Sequence, residues 1–114
     1  MSIRVVLCRV TQRGTSRRRR TLEEVAEAPD PRGVLDWLVE DLRAAAGTPL
    51  LQRIDPIRDV EFSSSHMVQL IEELDRVAPH VARFEGGAEA VKAVRDLAAR
   101  CRDEPSLVVR FIGD

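Results

Sequence analysis

Residues 3–11, IRVVLCRVT, place Ile3, Val5 and Leu7 on one side of an extended chain and Val6, Cys8 and Val10, with Arg4, on the other. β-Branched residues dominate and both sides are largely apolar, which predicts a strand with both faces at least partly buried. From Gln12 to Arg20 the chain carries Gly14, Thr15, Ser16 and four consecutive arginines, Arg17, Arg18, Arg19 and Arg20. No core accepts four adjacent guanidinium groups, so an exposed loop is predicted at about 12–20. Thr21 and Glu24 have the spacing of a capping box and predict a short helix from Leu22 to about Ala28, stopped by Pro29, Asp30 and Pro31.

Asp30 before Pro31 suits an N-cap followed by the first residue of the next helix. Val34, Leu35, Leu38, Val39, Leu42 and Ala46 then recur at helical spacing, with Gly47 as the C-cap glycine and Pro49 beyond it. Trp37 lies beside this stripe, at the core edge, where a large aromatic can also anchor a partner. Leu50 to Ile54 and Ile57 to Phe62 are short apolar or alternating runs around Asp55 and Pro56, and the second leaves room for a third strand near 57–62. Ser63, Ser64 and Ser65 are candidate caps for a helix running to Ala78, with Met67, Leu70, Ile71, Leu74 and Val77 on its buried side and Pro79 closing it. Gly86 and Gly87 open a last helix, about Ala88 to Arg102, and after Pro105 the run Leu107 to Ile112 predicts a closing strand.

The order strand, helix, third strand, helix, helix, strand predicts an α+β fold: a small mixed sheet formed by the N- and C-terminal strands and covered by about three helices. One helix between the first and middle strands permits a parallel crossover, and two before the last strand return it antiparallel. The length of 114 residues has room for one core, so a single domain is expected over residues 1–114. Hydrophobic residues at 44% exclude a disordered chain, and no apolar run approaches the roughly 20 residues that span a bilayer. The run Ile3 to Leu7 is too short and too Arg-flanked for a cleaved signal, so the cytoplasm is the expected compartment, with no membrane partner.

Charge changes this picture. Residues 1–20 hold seven arginines (4, 9, 13, 17, 18, 19, 20) and no acid, leaving 11 basic and 19 acidic residues in the remaining 94, a net of −8. A basic segment on an acidic body is the natural place for an anionic partner. All basic residues but Lys92 are arginine, which GC-rich coding explains; it does not explain the local lack of acids. Cys8 and Cys101 are the only cysteines, 93 positions apart and outside any zinc-type spacing, and both fall on apolar faces, as buried core thiols do.

Asp55, Asp59, Glu61 and His66 form the densest polar cluster and offer ligand atoms for a divalent cation or a carboxylate pair for acid/base work. The alternatives are turn and cap residues or an acidic partner-binding surface; neither EF-hand nor closely spaced zinc histidines are present. His66 and His80, the only imidazoles, fall at helix ends. No nucleophile elbow, Walker-type loop or dinucleotide fingerprint follows a strand, and no cofactor is expected. Arg17 to Arg20 could contact phosphates, but three Phe, one Trp and no Tyr make a poor stacking platform, and no helix has a basic face, so specific nucleic-acid binding is disfavoured.

The segment Ile54, Asp55, Pro56 with Asp59 and Phe62, then Gln69, Leu70, Glu72, Glu73, Leu74, and finally Phe111, Ile112, Gly113, Asp114, resembles small uncharacterised proteins of GC-rich, actinobacterial-type bacteria over the C-terminal half. The resemblance implies no established activity, and no functional residue is carried over from it. The expected function is that of a small non-enzymatic interaction or regulatory protein, an adaptor or toxin-neutralising (immunity-like) protein, holding its protein partner through Arg17, Arg18, Arg19, Arg20 and Trp37. The alternatives are a small metal-dependent enzyme using Asp55, Asp59, Glu61 and His66, and a nucleic-acid-associated protein using Arg17 to Arg20.

Overall fold

The computed structural model describes residues 3–12, 20–42 and 47–113. Two strands, β1 (Arg4–Gln12) and β2 (Arg20–Ala28), precede helix α1 (Val34–Leu42). A 3-10 turn at Leu51–Arg53 leads to β3 (Val60–Ser63), helices α2 (Met67–Val81) and α3 (Gly87–Asp103), and β4 (Leu107–Ile112). The strands form one sheet in the order β2-β1-β4-β3, with the chain's first and last strands paired at its centre. Fold class and helix number are as the sequence predicts, and the third strand falls inside the expected 57–62 region and one residue beyond it.

The sheet is antiparallel throughout rather than mixed. β1 and β3 run in the same direction because each pairs antiparallel with β4, and not through the single-helix crossover expected from the sequence, since β2 as well as α1 stands between them. They are not neighbours, because β4 lies between them, with Arg4 opposite Ile112 through to Arg9 opposite Leu107. β1's other edge is taken by β2, the element the sequence misread as a helix. Leu22, Val25 and Ala26 stand at helical spacing, yet a bulge inserts Val25 where the register shifts between Leu7 opposite Ala26 and Cys8 opposite Glu24. The extra residue re-phases the strand. Leu22 therefore packs with Val10 on one face while Val25 and Ala26 pack against the core on the other. Thr21 sits opposite Thr11 instead of capping a helix, and Gln12 and Arg20 belong to strands instead of the predicted loop.

The three helices cover one sheet face. Ile3, Val5, Leu7, Phe62, Leu107, Val109 and Phe111 point into them and meet Leu35, Leu38, Met67, Leu70, Leu74, Val94 and Ala98. α2 runs through Pro79 to Val81, three residues past the expected end at Ala78. In the last turn proline removes only one backbone donor, and Ala82 N still bonds Ala78 O at 2.9 Å. On the opposite face Val6, Cys8 and Val108 form a separate buried cluster flanked by Val10, Leu22 and Ile112. Among the described residues no helix packs on that face, and the charged groups near Cys8 there are Arg110, Glu24, Glu61 and Arg20.

Candidate functional site

Trp37 is held by the ends of several elements. Asp30 accepts from Val34 N and Leu35 N, both at 2.9 Å, so it caps α1 as the sequence suggests, although the helix starts at Val34 rather than at Pro31. Asp36 accepts from Ile3 N at 2.7 Å and ties α1 to the start of β1. These anchors turn Val34, Leu35 and Leu38 inward and leave Trp37 on the flank. The turn between α2 and α3 arrives from the other side. Gly86 takes φ +79°, and Gly87 approaches Val81 so closely that a Cβ there would lie 2.0 Å from its carbonyl oxygen.

This tight turn presents Phe84 edge-on to Trp37, with ring centroids 3.9 Å apart and planes at 75°. His80, in the last turn of α2, adds a third ring 6.1 Å from Phe84. Trp37 and Phe84 are each 38% exposed, and the ion pair Arg32–Glu85 at 3.0 Å borders them. The sequence singled out Trp37 but not Phe84 or His80. Phe84 lies in the turn after α2, beyond the helix end at Val81, so no periodicity in the sequence marked it.

Arg17, Arg18 and Arg19 lie outside the described residues. Arg20 opens β2, whereas Trp37 follows that strand's far end, so roughly 26 Å of extended chain separates them. Arg20 contacts Glu61, which also lies 3.8 Å from Arg110 Nε. Arg110 donates to Asp59 at 3.2 Å, and Arg4 reaches Glu27 at 2.6 Å and Glu24 at 3.5 Å. These pairs surround the helix-free apolar cluster. Burial pushes the Cys8 thiol above its ordinary range, the nearby Arg110 opposing the shift.

The four polar residues singled out near the third strand therefore have separate local roles. Asp55 accepts from Ile57 N at 2.9 Å in a turn, Asp59 and Glu61 face guanidinium groups, and the His66 ring meets Ser63 Oγ at 3.1 Å beside Phe62. Among the described residues no three His, Cys, Asp or Glu side chains are grouped to hold a metal ion. The segment does border a cleft of about 430 Å³, lined by Arg53, Asp55, Arg58, Asp59, Val60 and Glu61.

Glu73, which carries no motif, is the fully buried carboxylate of the molecule's described part. It accepts from Leu50 N and Leu51 N at 2.9 Å each and from Gln69 Nε2 at 2.9 Å, capping the 3-10 turn from a neighbouring helix. Its surroundings are backbone and core, so its role is architectural. Cys101 is buried on the helix-covered side, donates to Leu107 O at 3.2 Å, and has its pKa pushed up by burial to about 11. It and Cys8 sit on opposite sides of the sheet, and both are free thiols. No protein-family model matches the chain, and neither a curated protein nor a solved structure matches it. No helix among the described residues is long and apolar enough to cross a membrane.

Proposed function

We propose that the chain is a small non-enzymatic interaction protein that docks a protein partner on the Trp37–Phe84 pair, acting in the cytoplasm as an adaptor or immunity-like regulator. The observation that carries this reading is the pair itself: two large aromatics from separate elements, in edge-to-face contact at 3.9 Å and each more than a third exposed. Such a pair is pre-ordered, so a partner that covers it gains apolar contact at little side-chain entropy cost. Buried Cys8 and Cys101 on opposite sides of the sheet cannot reach each other, which suits a reducing compartment. Arg17 to Arg20 then act at long range: exposed ion pairs contribute about 0–1 kcal/mol each, so they speed encounter more than they hold the complex.

The test is affinity purification from the source cell with wild type, Trp37→Ala and a variant with Ser at all four arginines. Wild type should retain one stoichiometric protein. Trp37→Ala, with its circular dichroism unchanged, should release that protein at least about 30-fold faster, the scale of an aromatic hot spot of ~2 kcal/mol. The arginine variant should associate more slowly and with a flatter salt dependence. Equal retention by Trp37→Ala refutes the docking role of the patch.

A further inference from the structure

The two sheet edges differ. β2 is nine residues long, bulged at Val25, and carries Glu23, Glu24 and Glu27, the features that blunt an edge against added strands. β3, at the other edge, pairs only with β4 among the described residues. The cleft of about 430 Å³ described above runs against this edge, with Val60 and Glu61 in its wall.

Charge in the cleft is unevenly satisfied. Of its carboxylates, Asp59 is paired with Arg110 and Glu61 with Arg20 and Arg110, whereas Asp55 only accepts from Ile57 N and keeps its charge, so the cleft's two arginines outnumber its one carboxylate without an ion-pair partner among the described residues. Arg53 and Arg58 are exposed, and among the described residues neither has a carboxylate within ion-pair distance. Arg53 is held in place by the Phe62 ring, its guanidinium carbon 5.3 Å from the centroid. Two guanidinium groups beside an edge strand match an extended chain that carries carboxylates: main-chain hydrogen bonds to β3 supply the seat, and the arginines supply the selection.

We propose that the β3 edge and its Arg53/Arg58 cleft form a second interaction surface, which takes an acidic, extended segment of a partner protein as a fifth strand. This surface is separate from the Trp37–Phe84 pair and does not depend on it. A four-residue edge seats only a short segment, so binding is modest in strength and sensitive to salt.

The probe is a fluorescein-labelled heptapeptide, Thr-Glu-Val-Glu-Val-Glu-Thr, titrated into the full chain by fluorescence anisotropy at low salt. The expected result is saturable binding, with amide chemical-shift changes centred on residues 60–63. A peptide with Lys for every Glu should not bind, and one N-methylated at alternate peptide groups, which keeps the charges but not the donors, should bind at least 10-fold more weakly. The double variant Arg53→Gln with Arg58→Gln should weaken binding at least 10-fold, while Trp37→Ala should leave it unchanged. Absence of binding, equal binding of the Lys or N-methylated peptide, or an unaltered Kd in the double variant overturns the proposal. Loss of binding in Trp37→Ala also overturns it, by placing the peptide on the aromatic pair.

Discussion

Replacing Glu73 by Ala should cost about 3–5 kcal/mol of folding stability. The carboxylate serves two buried backbone donors, Leu50 N and Leu51 N, each 2.9 Å from Oε1. Leaving a buried donor unsatisfied costs about 1–3 kcal/mol, more when its acceptor was charged. Gln69 Nε2 also loses its 2.9 Å acceptor, but Gln69 is exposed and its amide can turn to water. Two stranded amides and the lost side-chain packing give the stated range, a large share of the ~5–15 kcal/mol that holds a domain of this kind together. Glu73→Gln separates the effects. Its one carbonyl oxygen can occupy the Oε1 position and keep both backbone bonds, whereas its amino group would face the Gln69 amide, so a loss of only about 1–2 kcal/mol is expected. Urea denaturation of the three proteins at pH 7 measures these differences, and faster hydrogen exchange at Leu50 and Leu51 in the Ala variant locates them. A Glu73→Ala protein within about 1 kcal/mol of wild type, or a Gln variant as unstable as the Ala one, would refute the clamp.

Gly87→Ala should lower stability by at least about 2 kcal/mol, because its Cβ would sit 2.0 Å from Val81 O and 2.7 Å from Val81 Cγ1 and force α3 away from α2; a thermal midpoint equal to wild type would show that the turn adjusts freely. Alkaline pH should destabilise the chain through Cys101: its thiol, ordinarily near 9, is pushed by burial to about 11 in the fold. The folded state holds that proton more tightly, so its contribution is whole below pH 9 and is lost as pH rises towards 11, on the order of 2–3 kcal/mol. Denaturation midpoints of wild type and Cys101→Ala between pH 8 and 11 check this, and an equally steep decline in the variant would point to other groups.

Local patterns in the sequence determined much of the fold. Ile3 to Thr11 and Leu107 to Ile112 declare themselves as strands because β-branched runs of that length must be buried on both sides, and the stripes of α2 and α3 have the spacing of one helical face. Asp30 was legible as a cap for the same reason: its partners, Val34 and Leu35, are four and five residues away. What depends on residues far apart was decided only by tertiary structure. Leu22, Val25 and Ala26 fit either a helix or a bulged strand, and pairing with Leu7 and Cys8 selected the strand. Asp59 and Glu61 share a short stretch of sequence with His66, but Arg110, 51 positions from Asp59, turned that acidic cluster into ion pairs. Phe84 became Trp37's neighbour only when the turn between α2 and α3 packed against α1, and Glu73 became a cap only when α2 met the amides of Leu50 and Leu51. Periodicity records which face of an element is buried, whereas strand register, bulges and the distant partners of polar groups follow from how whole elements pack, which no local window contains.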